Sequence, residues 1–252
     1  MSNFAPSVEA ATKIIKFIAD SEREIGISEI SRGTDINKNM VFRILNTLEH
    51  EGWVYCHEQK YSLTLSLFGL ASKQTSRLSL NTVAMPILYD LLNSTGDSTY
   101  LGILNNDKVL YLQHLDGVKD VRVAGRVGGE YDLYCSAPGK VLLAYSDKDF
   151  IEEYTSENFE KRTKNTITEK SDILSELELI RQNGYATDKE EFGNGITCVS
   201  APIYDYSGKV IAVVGCSSFT FDNNLDEVIV RLLPHVLKAA NDISIRLGGK
   251  NN

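Results

Sequence analysis

Between Asn37 and Gly52 the chain repeats apolar residues at i, i+3, i+4 and i+7, namely Val41, Ile44, Leu45 and Leu48. That period predicts a helix with one buried stripe, capped by Asn37 and stopped by Gly52. Its opposite face carries Lys38, Asn39, Phe42, Arg43, Asn46 and Thr47, two cations and no acid. Such a face suits a nucleic-acid groove: Lys and Arg reach phosphate or guanine, and Asn pairs with adenine. What surrounds this helix narrows the fold further. Before it, Ser7 is expected to cap a helix with Val8, Ala11, Ile15 and Ile18 on one stripe. Ser28 is expected to cap a short helix that places Ile30 inward and ends at a left-handed Gly33. After it, Trp53-Val54-Tyr55-Cys56 and Tyr61-Ser62-Leu63 flank the polar turn His57-Glu58-Gln59-Lys60, the pattern of a hairpin.

Helix, short helix, turn, amphipathic helix and hairpin is the order of a winged helix-turn-helix. The residues expected against DNA are Ser28, Asn37, Lys38, Asn39, Met40, Phe42, Arg43 and Asn46, with Lys60 from the wing. A dimerisation or protein-binding module is the bland alternative. Residues 1–75 hold eight Lys and Arg against nine Asp and Glu, and the whole chain has a net charge of −8. Bulk charge therefore cannot hold DNA, and two or more copies are expected to cooperate on a spaced, inverted-repeat site, with recognition helices about 34 Å apart.

The expected organisation is a DNA-binding domain over 1–64, a linker helix over 65–78 and a second domain over 79–252. In the linker, Leu67, Leu70 and Ala71 form a stripe that packs against a partner copy or against its own domain. The second domain opens with a helix carrying Leu80, Val83, Ala84, Ile87, Leu88 and Leu91, with Pro86 inside it. Strands are expected at 99–104 and 109–115, joined by Asn105-Asn106-Asp107, then at 121–124 and 131–135. A short apolar helix begins at Pro138-Gly139-Lys140, and Thr168 is expected to cap a helix that ends at Gly184. Strands at 185–187, 196–201 and 210–217 and a long amphipathic C-terminal helix from Leu225, interrupted by Pro234, complete an antiparallel sheet faced by helices. The fold class is α+β.

The block from Asn37 to Gly52, with Arg43-x-Leu45-x-x-Leu48 before the glycine, resembles the IclR family of transcription regulators. Leu133-Tyr134-Cys135-Ser136-Ala137-Pro138-Gly139-Lys140-Val141-Leu142-Leu143-Ala144 is similar to the Gly-Lys-x-x-Leu-Ala signature of that family. The segments 181–191, around Gly184-Tyr185, and 195–202, around Gly195-Ile196-Thr197-Cys198, resemble its later motifs. The resemblance implies a GAF-like effector domain, homodimers or tetramers, and effectors drawn from small organic acids, sugar acids or aromatic metabolites. Carried across, the effector residues are Ser136, Ala137, Pro138, Asp188, Ile196, Cys198, Gly215 and Ser217. Gly215 stands where some relatives offer a hydroxyl, and Pro138 lacks an amide donor. The implied function is a DNA-binding regulator, expected to repress, whose operator affinity a metabolite modulates.

Four cysteines, Cys56, Cys135, Cys198 and Cys216, are scattered without metal-ligand spacing, so neither a metal nor a cofactor is expected. An alternative switch is oxidation of Cys135 or Cys198, which requires an exposed thiol of low pKa. Catalysis by such a thiol with His114 as base lacks any nucleophile motif, and an enzyme is not expected. No leader or membrane-length apolar run is read, which points to a cytoplasmic protein.

Overall fold

A computed structural model describes residues 5–21, 23–67, 69–70, 80–220 and 224–249. The chain divides into two compact units, Met1–Leu78 and Ser79–Asn252.

The first unit packs three helices, α1 (Pro6–Ala19), α2 (Ile27–Thr34) and α3 (Lys38–His50), on a small sheet. Its core is Ile14, Ile18, Ile25, Ile30, Val41, Leu45, Leu48, Val54 and Tyr61. Asn37 caps α3, its Oδ1 accepting the Met40 N–H at 2.9 Å. At the other end Gly52 takes φ 72°, so its own N–H reaches Glu49 O and the Trp53 N–H reaches Leu48 O at 2.8 Å. That paired closure turns the chain straight into the hairpin. The hairpin is β2 (Val54–His57) and β3 (Lys60–Leu63), joined by Glu58 and Gln59, both at positive φ. Two such residues match the twist of the flanking strands, so the turn is tighter than the four-residue one expected. A further short strand, β1 (Ile25–Gly26), pairs with β3 and was not legible as a strand because it is two residues long.

Four local expectations fail here. Helix α1 starts at Pro6 with Ala5 as its cap, and Ser7 lies inside it. The buried stripe is Ala10, Ile14 and Ile18, while Val8 is 63% exposed. Gly26, not Ser28, caps α2, with the Glu29 carboxylate accepting the Gly26 N–H. The left-handed terminator is Asp35, at φ 56°, and Gly33 lies within α2. Gly33 has a packing reason instead: a Cβ there would lie 2.1 Å from the Phe17 ring of α1.

Of the linker, Ser66, Leu67, Gly69 and Leu70 are helical, and residues 68 and 71–79, including Ala71 of the expected stripe, lie outside the described residues. The second unit begins with α4 (Leu80–Thr95) and a hairpin of β4 (Ser98–Asn105) and β5 (Lys108–Leu115). Next come β6 (Glu130–Asp132), α5 (Ala137–Ala144), α6 (Lys148–Tyr154) and α7 (Lys170–Asn183). Strands β7 (Ala186–Lys189), β8 (Ile196–Tyr204) and β9 (Val210–Phe219) and helix α8 (Leu225–Arg246) follow. The strands form one antiparallel sheet in the order β6-β5-β4-β9-β8-β7.

Alternation divides each strand between two cores. Leu101, Val199, Ala201, Ile203, Val214 and Cys216 face α4 and α8. Tyr100, Tyr111 and Val213 face α5, α6 and α7.

The strand expected at 121–124 is absent; that stretch is irregular, and the expected strand at 131–135 shortens to Glu130–Asp132. Leu133 and Tyr134 instead join the α-helical core on the second face. Glu169 rather than Thr168 precedes α7, and no side chain caps it. The turn from β6 into α5 is very close: a Cβ on Gly139 would lie 2.4 Å from Leu133 Cα and 2.5 Å from Asp132 O. Backbone cannot yield as a side-chain tip can. Gly139→Ala is therefore expected to destabilise the second unit by about 1–3 kcal/mol. Thermal unfolding monitored by circular dichroism checks this, and an unchanged transition would contradict the packing described.

Candidate functional sites

On the first unit the groove-facing residues are displayed as α3 requires. Asn37, Lys38, Asn39, Phe42, Arg43 and Asn46 are exposed, Phe42 by 49%, while Met40 is half-buried. The Asn37 carbonyl oxygen is engaged in the helix cap, so that residue acts first as a structural one. Lys38 and Arg43 form no ion pair among the described residues, which leaves both charges available to an anion. Ser28 is exposed on α2, and Lys60 is exposed at the start of β3 beside the hairpin turn.

On the second unit, sheet register brings three of the expected effector residues into one row. Asp188 on β7 pairs with Cys198 on β8, and Cys198 pairs with Ser217 on β9. The Cys198 Sγ and Ser217 Oγ are 3.2 Å apart. Ile196 lies two residues from Cys198 on the same face and is half-buried. In the next row Ser200 pairs with Gly215, and Gly215 with Tyr100. The Tyr100 hydroxyl lies 2.6 Å from Ser200 Oγ. A Cβ on Gly215 would meet that hydroxyl at 2.4 Å, so the glycine makes room for Tyr100. Ser136 caps α5, its Oγ accepting the Gly139 N–H and donating to Asp132 O at 2.6 Å. Ala137 and Pro138 are buried in the first turn of that helix.

Asp188 is 1% exposed. Its Oδ1 accepts the Glu191 N–H at 2.7 Å and the Phe192 N–H at 3.3 Å, while Oδ2 is buried without a hydrogen-bond partner. Burial, reinforced by the neighbouring Glu191 carboxylate, pushes its carboxyl up to about 7. Glu191 is likewise raised by burial and keeps one unpartnered oxygen. The cation beside them is Lys140 of α5, whose Nζ donates to Glu191 at 2.6 Å and to Glu176 of α7 at 3.0 Å. Burial alone would lower the Lys140 pKa, yet these two carboxylates raise it, so the ammonium stays charged. Two carboxylates thus share one buried cation, and the Asp188 carboxyl lies beside them.

An aromatic wall adjoins this group. Tyr111 lies between Tyr100 and Tyr131, at centroid distances of 4.8 and 4.3 Å, and Tyr131 meets Phe192 at 5.8 Å. Tyr100, Tyr111, Tyr131, Phe192, Lys140 and Glu191 were not singled out from sequence as site residues. One signal was present: Lys140 is a lone cation in an otherwise apolar helix, which demands an acid from elsewhere in the fold.

Neither thiol meets the requirement for redox sensing. Cys135 is fully buried, and burial followed by the Asp132 charge pushes its pKa up to about 12. Cys198 is buried too, and burial followed by Asp188 raises it. Both shifts run opposite to an activated thiolate. Among the described residues, no group of three or more His, Cys, Asp and Glu could hold a metal ion, and no helix is long and apolar enough to cross a membrane.

Comparison with known proteins agrees with this architecture. The IclR helix-turn-helix domain matches residues 7–56, and the bacterial transcriptional regulator IclR C-terminal domain matches residues 72–245. The transcriptional regulator KdgR of Dickeya chrysanthemi is 34% identical over 250 residues, covering 96% of this chain and 81% of its own length. Among solved structures, the Agobacterium tumefaciens repressor BlcR shares the fold with a TM-score of 0.77 at 22% identity, covering 99% of this chain and 100% of its own. An IclR homologue from Microbacterium hydrocarbonoxydans, solved with 4-hydroxybenzoate, shares it with a TM-score of 0.59 at 20% identity, over 95% of this chain and 99% of its own. This chain belongs to the IclR family of DNA-binding transcriptional regulators.

Proposed function

We propose that the protein is a metabolite-responsive repressor of the cytoplasm, with DNA binding in residues 1–64, a linker over 65–78 and effector binding in 79–252. The observation that carries the reading is the buried Asp188-Cys198-Ser217 row, with an unpartnered carboxylate oxygen at one end and an aromatic wall beside it. A buried polar atom left unpaired is costly unless a ligand or water satisfies it. The 4-hydroxybenzoate complex of the Microbacterium homologue supports a small organic effector. Two copies of α3 in a dimer or tetramer enter successive major grooves of an inverted repeat, with Lys38, Asn39, Phe42, Arg43 and Asn46 toward DNA and Lys60 on the flanking backbone. Effector binding shifts operator affinity by the difference in its affinity for two states, about 1–3 kcal/mol.

In vitro selection from random duplexes is expected to return an inverted repeat. Against that site, Arg43→Ala and Lys38→Ala should each weaken binding by about 1–3 kcal/mol, read by fluorescence anisotropy. A contact to phosphate would also reduce the salt slope by about one. Undiminished affinity in both variants would remove α3 from the groove.

The protonation of Asp188 gives a second test. Unfolded, its carboxyl ionises near 3.8; folded, near 7. Between those values the native state holds the extra proton, so this group's contribution to stability falls as pH rises through that window. Asp188→Asn keeps an acceptor for the two backbone amides and has no proton to lose. Its melting temperature relative to wild type should therefore rise between pH 5 and pH 8, at about 2–4 °C per kcal/mol. Parallel pH profiles would refute the buried, raised carboxyl.

A further inference from the structure

A cluster of charged side chains lies at each end of the sheet, one at β7 and one at β6. At the β7 end Glu191 and Glu176 both pair with Lys140 and Asp188 lies beside them; Asp188 Oδ2 and Glu191 Oε2 have no hydrogen-bond partner among the described residues. At the β6 end the balance reverses. Asp132 pairs with Lys108 and also with Arg162, so one carboxylate faces two cations.

Phe192 connects the two ends. Its backbone N–H is held by Asp188, and its ring carries the Arg162 guanidinium 4.7 Å from the centroid. Tyr131 and Tyr111 continue the same wall. The segment that follows Arg162 is tied to the turn after β7. Thr163 Oγ1 donates to Glu190 O at 2.6 Å, Thr166 Oγ1 to Glu191 O at 2.7 Å, and Asn165 Nδ2 to Lys189 O at 2.9 Å. The Arg162 side chain remains 33% exposed, so an incoming group can reach it.

We infer that Arg162 is a specificity-determining residue of the effector site, reading the carboxylate of a hydroxy acid whose hydroxyl is presented to Asp188. The inference rests on the effector reading proposed above and adds the residue that selects an acid. A planar guanidinium stacked on an aromatic ring keeps N–H donors in its plane for a carboxylate. Asp188 Oδ2, lacking a donor within the protein, is completed by a hydroxyl. A neutral ligand leaves the cationic end unmatched, and a ligand without a hydroxyl leaves Asp188 unmatched.

The test uses the full chain in thermal-shift and calorimetric titrations with hydroxy acids, gluconate and 4-hydroxybenzoate among them, beside the corresponding amides and benzoate. In wild type at least one hydroxy acid is expected to bind about tenfold or more tighter than its amide, and 4-hydroxybenzoate tighter than benzoate. Arg162→Gln should collapse the acid-to-amide ratio toward one while leaving the hydroxyl preference intact; Arg162→Lys should restore only part of it. Asp188→Asn should do the converse. An acid-to-amide ratio that survives Arg162→Gln and Arg162→Lys overturns the assignment. Binding of amides but not acids overturns it as well, while leaving the effector site in place. If no compound of either kind stabilises the wild type, the effector reading falls and this inference falls with it.

Discussion

The second unit is organised around one buried ammonium. Lys140 projects from a helix whose other residues are buried and mostly apolar, and it survives there because Glu191 and Glu176 approach from two different elements. Removing a charge from water costs several kcal/mol, so such a lysine holds its partners in place as strongly as they hold it. The consequence is geometric: α5, α7 and the turn after β7 are tied at one point. The Asp188 carboxylate then organises that turn, because its Oδ1 takes the amides of Glu191 and Phe192. Burial, reinforced by the neighbouring Glu191 carboxylate, leaves Asp188 with a raised pKa, and its Oδ2 has no hydrogen-bond partner among the described residues. The features that make the face a candidate for binding thus follow from how the lysine is neutralised.

A different constraint governs the first unit. There the helices and hairpin are held by a small apolar core, and the polar work is concentrated at the two ends of α3. Asn37 fixes where the helix begins, and the Gly52 closure fixes where it stops and how the chain enters the hairpin. With both ends set, the 3.6-residue period alone decides that Lys38, Asn39, Phe42, Arg43 and Asn46 point away from the core. Near-neutral overall charge in this unit makes the placement of these few side chains decisive, since no surplus of cations can compensate for a misplaced one.

Where sequence reading misplaced an element, the cause was usually a short-range signal overruled by packing. Gly33 looks like a terminator, yet Phe17 of α1 leaves no room for a side chain there, and Asp35 takes the left-handed position instead. Ser7 and Ser28 look like caps, but each lies inside its helix, since Pro6 begins the first and Gly26 precedes the second. Val121 to Ala124 has the composition of a strand; the sheet, however, already ends at β6, and no neighbour offers it a ladder.

Local signals were sufficient for most of the helices and strands, the α3 face and the β4–β5 hairpin, because periodicity, caps and turn residues act over a few positions, whereas the motifs around Gly139-Lys140 and Asp188 were read through the family resemblance. The alignment of Asp188, Cys198 and Ser217 needed strand register, which joins residues up to 29 apart in the chain. The neutralisation of Lys140, the stacking of Arg162 on Phe192 and the use of Gly215 to seat Tyr100 were decided only by tertiary structure. Those contacts depend on helices meeting a sheet across its face, and no spacing along the chain encodes which side chains will meet there.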